Sequence, residues 1–127
     1  MTSQLNSANH FLASLSAHDS ELIKPHLHPL ELPHEAILYK AEDTISDLYF
    51  PHSGVVSLIV GFANGQFVEA GMFGRNSVIG AGAALDGGVA LNQAIGQVGG
   101  SGLGVEVNEM KHLVAQSETL RLAFFQA

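Results

Sequence analysis

The sequence predicts a mainly β domain with flanking helices: an antiparallel strand body between Leu30 and Val107, short helices before it and helices after it. Three observations predict it. From Leu30 to Val107 the chain runs in short alternating segments broken by Gly, Pro, Asn and Asp, as strands joined by tight turns do. Outside those limits apolar residues return at helical spacing. At 127 residues the chain is one domain by length, able to bury a modest core without disulfides or a structural metal.

Residues 1 to about 8 are small and polar and form an expected frayed lead-in. Phe11, Leu12 and Leu15 predict a short helix. Ser16, with Asp19 three residues on, caps a second helix carrying Leu22, Ile23 and Leu27, and Pro29 closes that region. Segment 36–40 supplies a strand. Asp47-Leu48-Tyr49-Phe50 supplies another, ended by Pro51 and turned by Ser53-Gly54. Val56, Leu58, Val60 and Phe62 alternate with Ser57, Ile59 and Gly61, and Val68, Ala70 and Met72 alternate with Phe67, Glu69 and Gly71. Asn64-Gly65 between the two runs predicts a hairpin with a type I′ turn. Segment 91–107 completes the strands. Asn108 then caps a helix holding Met110, Leu113 and Val114, and Ser117 with Glu118 starts a last one through Leu120, Leu122, Phe124 and Phe125. Apolar residues cover much of that helix's circumference. One face can pack on the β body, which leaves another for a second subunit, with Leu120 and Phe124 as the expected seam. The alternative is that the helix is the start of a longer one.

Composition excludes several classes of function. Net charge is −7 with five Lys and Arg, so no basic stripe exists to neutralise a phosphate backbone, and direct binding to DNA or RNA is not expected. The absence of cysteine removes disulfides, thiolate metal sites and thiol catalysis. The N-terminus lacks a signal-peptide pattern and no run of eighteen apolar residues occurs, which makes a cytoplasmic domain with no membrane partner the default. Glu31, Glu35, Glu42, Asp43 and Glu69 form no spaced acid pair, and Gly74-Arg75-Asn76-Ser77 misses the strand-to-helix nucleophile pattern, so no enzyme activity is expected. Glu69, the only acid in its apolar strand, faces either the interior or, more commonly, solvent. Tyr39, Tyr49 and Phe50 are expected in the core. His26, His28 and His34 lie close together, with His18 and His10 upstream. Alternate imidazoles on a strand can share a metal, but Pro29 and Pro33 argue against a regular strand there, and scattered surface histidines are the simpler reading.

The most distinctive stretch runs from Phe73 to Gly88, with Asn92-Gln93-Ala94 after it. Together with Ala36–Asp43, Leu48–Ser57 and Gly74–Gly80 it resembles the sensor half of the catabolite-activator/FNR superfamily of bacterial transcription regulators. The resemblance spans residues 9 to 127. It implies a cyclic-nucleotide-binding-like β-roll with N-terminal and C-terminal helices, a homodimer paired through the last helix, and an event in the roll that shifts those helices. It also implies that DNA is reached only through a module absent from this chain. In nucleotide-binding members a Gly-Glu pair opens a short helix, and an Arg, a small hydroxyl residue and Ala follow about a dozen positions later. Backbone N–H groups hold the phosphate, Arg matches its charge and Glu takes the ribose hydroxyl. Here Gly80 matches, but Ala81 stands in the Glu position and Asn92-Gln93-Ala94 stands for the Arg triplet. No Lys or Arg occurs from Asn76 through Met110. Gly80-Ala81-Gly82-Ala83-Ala84 is then either a surviving cradle of backbone amides or a close-packed turn needing small residues. Arg75 is the one nearby cation. The candidate ligand residues are accordingly Gly80, Ala81, Gly82, Ala83, Asn92, Gln93, Ala94 and Arg75, for an unidentified small-molecule effector and with no cofactor or metal. The reading is an effector domain that does not bind cyclic AMP. The alternatives are a stand-alone dimerisation or docking roll and, more weakly, a cupin-like metal enzyme.

Overall fold

A computed structural model describes residues 9–32, 37–40, 44–81 and 93–126. The lead-in 1–8 and the stretch 82–92 lie outside the described residues. The expected class is observed: a mostly antiparallel β body between N-terminal and C-terminal helices.

Helix α1 is His10–Ser14. Its cap is Asn9, whose side-chain oxygen accepts from the Leu12 N–H at 3.0 Å while its Nδ2 donates to the carbonyls of Pro51 and Ser77, each at 2.9 Å. One fully buried side chain thereby starts the helix and ties it to the strands. Helix α2 is Ala17–Ile23, capped as expected by Ser16, which accepts from the Asp19 N–H at 3.2 Å. It stops before Leu27. Pro25 has no N–H to continue the ladder, and the chain tightens into a single 3₁₀ turn, Lys24–His26.

Strand β1, His28–Leu32, forms although Pro29 and Pro33 argue against a regular strand there. It lies at the edge of a three-stranded sheet, pairing with one neighbour, where a proline is tolerated. The remaining strands are β2 Ile37–Tyr39, β3 Asp47–Pro51, β4 Val55–Gly61, β5 Phe67–Phe73, β6 Gln93–Val98 and β7 Gly100–Glu106. They form two antiparallel sheets, β1-β7-β3 and β2-β6-β4-β5. The β4–β5 hairpin falls where predicted, with a different turn. Phe62 accepts from the Gly65 N–H at 3.0 Å and donates to Gln66 at 2.8 Å, so the loop closes over Ala63-Asn64 with Gly65 at φ +86° after it. That is the longer hairpin loop with a left-handed glycine, rather than a two-residue turn.

Helix α3 is Val107–Gln116 and α4 is Glu118–Phe125. Asn108 sits inside the first turn of α3 rather than at its cap, since Glu106 takes that place without a side-chain hydrogen bond. Ser117 caps α4, accepting from the Leu120 N–H at 3.2 Å. Among the described residues no helix is long and apolar enough to cross a membrane.

Two cores result. Between the sheets lie Leu32, Tyr49, Val56, Ile79 and Ala94. Between the three-stranded sheet and the helices lies a larger cluster that includes Leu12, Ile23, Leu48, Phe50, Val105, Met110, Leu120 and Phe124. Within the second, the Phe11 ring is 5.0 Å from Phe124 and 6.2 Å from Phe50, so α1, β3 and α4 share one aromatic contact. Asp19 on α2 is buried and accepts from Ser117 Oγ at 2.6 Å and Thr119 Oγ1 at 2.7 Å, which fixes the start of α4 to α2. Removing a buried carboxylate that holds two hydroxyls should be costly. Asp19→Ala is expected to lower unfolding free energy by about 3 kcal/mol. Urea denaturation checks this, with Glu118→Ala on the exposed side of α4 as a control expected to change it by less than about 0.5 kcal/mol.

Candidate functional site

The segment preceding the expected phosphate cassette is docked onto β3. Tyr49 and Ile79 exchange both backbone hydrogen bonds, at 2.8 and 3.0 Å. Gly80 follows at φ +88°, and a Cβ there would meet Ile45 at an ordinary 3.5 Å, so backbone conformation rather than space requires glycine. Ala81 is half-buried and packs against the helical core. Gln93 opens β6, half-buried and paired with Ile59. Ala94 is fully buried in the inter-sheet core, paired with Leu58 on one side and Tyr39 on the other. The structure thus brings Ala94 and the neighbour of Gly80 into one cluster. Gly82, Ala83 and Asn92 lie outside the described residues. Arg75 is exposed in a turn closed by the Ser77 N–H donating to the Gly74 carbonyl, and its own carbonyl accepts from the His10 N–H at 2.6 Å. It takes no part in the inter-sheet cluster.

Beside that cluster is a cavity of about 450 Å³. Leu30 and Glu31 of β1, Leu38 and Tyr39 of β2, residues 44–47, Tyr49 and Ile79 line it. Among the described residues its charged groups are Glu31 and Asp47, and no Lys or Arg lines it. Sequence reasoning missed both carboxylates as site residues. No local signal marks them, because the two strands that carry them come together only in the fold. Tyr49 is only 5% exposed, and among the described residues its hydroxyl has no hydrogen-bond partner. Burial first, and the Glu31 carboxylate second, push its phenol up to about 12. Burial also raises Tyr39.

Other candidates are placed elsewhere. Glu69 lies on the solvent side of the four-stranded sheet, accepting from Ser57 Oγ at 2.9 Å. His26 contacts the Glu109 carboxylate, His28 begins β1, and His34 lies outside the described residues. Among the described residues no three His, Asp or Glu side chains come together as metal ligands. Leu120 and Phe124, the expected seam, are turned into the chain's own core instead. The large apolar side chains that α4 leaves outside are Leu122, 45% exposed, and Phe125, 67% exposed. Helical geometry explains the exchange: residues 120 and 124 are four apart and share the face that meets α1 and β3.

No family model matches the chain, and no curated protein matches it in sequence. Solved structures match in fold. The N-terminal domain of a transcriptional regulator from Streptomyces coelicolor superposes with a TM-score of 0.72 at 17% identity, over 93% of this chain and 82% of that one. The catabolite activator protein of Thermus thermophilus gives 0.77 at 17% identity, over 91% of this chain. The chain spans 55% of that protein's length. The regulatory subunit of a cAMP-independent protein kinase A from Trypanosoma cruzi, bound to guanosine, gives 0.76 at 16% identity, over 91% of this chain and 40% of that one. The fold is therefore the cyclic-nucleotide-binding-like β-roll.

The Tyr49 environment has a measurable signature. An unfolded tyrosine ionises near its ordinary 10.0, whereas folded Tyr49 stays neutral to about 12. Its contribution is fully present below pH 10.0 and is lost as pH rises through about 12, because ionisation then favours the unfolded chain. Tyr49→Phe is expected to remove that part of the alkaline loss and, by deleting an unpaired hydroxyl, to leave neutral-pH stability unchanged or raise it by about 1 kcal/mol. Denaturant titrations at pH 7 and pH 11 check both signs.

Proposed function

We propose that the chain is the effector domain of a transcription regulator of the catabolite-activator/FNR type, one that senses without a cyclic-nucleotide phosphate clamp and performs no catalysis. Its fold likeness to regulator sensor domains supports the class. The observation that carries the second half is electrostatic. Ala81 occupies the Glu position, no Lys or Arg occurs from Asn76 through Met110, and the cavity beside the cassette carries Glu31 and Asp47. A phosphate arriving there meets two carboxylates and, among the described lining residues, no counterion, so charge opposes it. The guanosine-bound kinase subunit from Trypanosoma cruzi is a fold neighbour whose ligand has no phosphate, which supports a roll of this shape working without the clamp. Signal transfer in this reading is a two-state shift of α3 and α4, biased by an effector that binds one state better. DNA would be read by a module outside this chain.

The test is calorimetric titration with cyclic AMP and cyclic GMP. Two lost charge-assisted contacts of about 1.5 to 3 kcal/mol each imply at least a hundredfold weakening, so no low-micromolar binding is expected. Low-micromolar binding would overturn the reading.

Self-association belongs to the same proposal, through Leu122 and Phe125 on the outer face of α4. Sedimentation equilibrium is expected to give a dimer that Leu122→Ser with Phe125→Ser dissociates without loss of fold. Phe124→Ser, by contrast, should destabilise the monomer by about 3 kcal/mol or more, as a core deletion does. A strict monomer at high micromolar concentration removes the dimer from the proposal.

A further inference from the structure

The cavity between β1, β2 and β3 has a chemistry the sequence does not announce. Its floor and sides are apolar or aromatic: Leu30, Leu38, Tyr39, Tyr49 and Ile79. Among the described residues its charges are the carboxylates of Glu31 and Asp47, in a chain of net charge −7. The volume of about 450 Å³ lies in the range of small-molecule sites. Tyr49 stands in the same wall, a side chain more than nine-tenths buried whose hydroxyl has no hydrogen-bond partner among the described residues. Buried polar groups are normally paired, and an orphan beside a cavity is a place where a ligand group can complete the bonding. Glu31 and Tyr49 both line the cavity, so one ligand can serve both.

We propose that this cavity is the site of a small organic cation, a protonated amine or guanidine on an apolar body. Its charged head donates hydrogen bonds to the Glu31 carboxylate and to the Tyr49 oxygen, and Asp47 adds to the attracting field. The apolar body lies against Leu30, Leu38 and Ile79. An anion is repelled by both carboxylates, and a neutral analogue of the same shape gains the apolar contact without the charge-assisted hydrogen bond. The inference rests on the reading of the roll as a sensing domain, and it names the class of effector.

The experiment is isothermal titration calorimetry on the whole chain at pH 7 and physiological salt, with three probes of one shape: 2-phenylethylammonium, 2-phenylethanol and phenylacetate. The expected result is saturable binding of the ammonium below about 1 mM, binding of the alcohol weaker by about tenfold or more, and no binding of the carboxylate. Glu31→Gln is expected to weaken the ammonium by about tenfold, and Tyr49→Phe by several-fold although it does not lower stability. Glu118→Gln, which removes a charge from α4 away from the cavity, is expected to leave the affinity unchanged and so separates the site from general attraction to an acidic protein. The alcohol or the carboxylate binding as well as the ammonium, indifference to Glu31→Gln, or no saturable binding of any probe would overturn the proposal. Cyclic AMP is titrated alongside. Its tight binding overturns the clamp-free reading of the roll, whereas absence of ammonium binding with cyclic AMP also unbound overturns the cation site alone.

Discussion

Strand β3 is buried on both faces, and the rest of the molecule is arranged around that constraint. Leu48 and Phe50 point into the helical core, while Tyr49 between them points into the space between the sheets. Its backbone is engaged on both edges as well. β7 pairs with all five of its residues, and Ile79 exchanges two hydrogen bonds with Tyr49. A strand with so little freedom cannot slip by one residue, because a slip would drive Tyr49 into the helices and Leu48 into the opposite core. The partner strand makes this possible by omission. Gly104 of β7 sits opposite Tyr49, and a Cβ there would lie 2.2 Å from the Leu30 side chain, so glycine lets Leu30 fold over β7 beside the tyrosine.

The helices are bound to this strand by few but specific contacts. Phe11, Phe50 and Phe124 bring α1, β3 and α4 together, and Asn9 fastens the start of α1 to the carbonyls of Pro51 and Ser77. Asp19 supplies a polar counterpart at the α3–α4 joint. Its carboxylate takes both hydroxyls at the start of α4, so the direction in which α4 leaves α3 is set by a residue on α2. Packing and hydrogen bonding therefore agree on one placement for the last helix, as expected of a minimally frustrated chain.

What the sequence made legible was local. Ser16 and Ser117 announced their helices, and the alternating run through Val60 and Val68 announced its hairpin, because caps and period-two patterns are written in neighbouring residues. Long-range pairing was hidden. The strand through Pro29 is held by β7, about seventy residues on, and nothing near Pro29 says so. The Asn9 cap escaped notice because its hydrogen-bond partners other than Leu12 are remote. Periodicity showed that α4 is apolar around much of its girth but could not assign the faces. The aromatic partners Phe11 and Phe50 decide that Phe124 goes inward and Phe125 outward. The cassette was legible as a set of missing charges, whereas the cavity was not, since its carboxylates come from two strands that meet only in the fold.

The position of the cavity bears on how occupancy could reach the helices. Two of its lining residues link the two cores. Tyr39 packs against the inter-sheet cluster and against the helical one, and Tyr49 is flanked along the chain by Leu48 and Phe50, which pack on the helices. A ligand that displaced either tyrosine by a fraction of an ångström would meet closely packed neighbours on the far side, and dense interiors transmit such strain rather than absorb it. The exposed β4–β5 hairpin offers no such route. Phe62, Phe67 and Val68 at its outer end are exposed and belong to neither core cluster, so a contact there lies away from the packed strands that meet the helices. The cavity beside β3 is mechanically connected to α4, because the strand that lines it is the strand on which Phe124 rests.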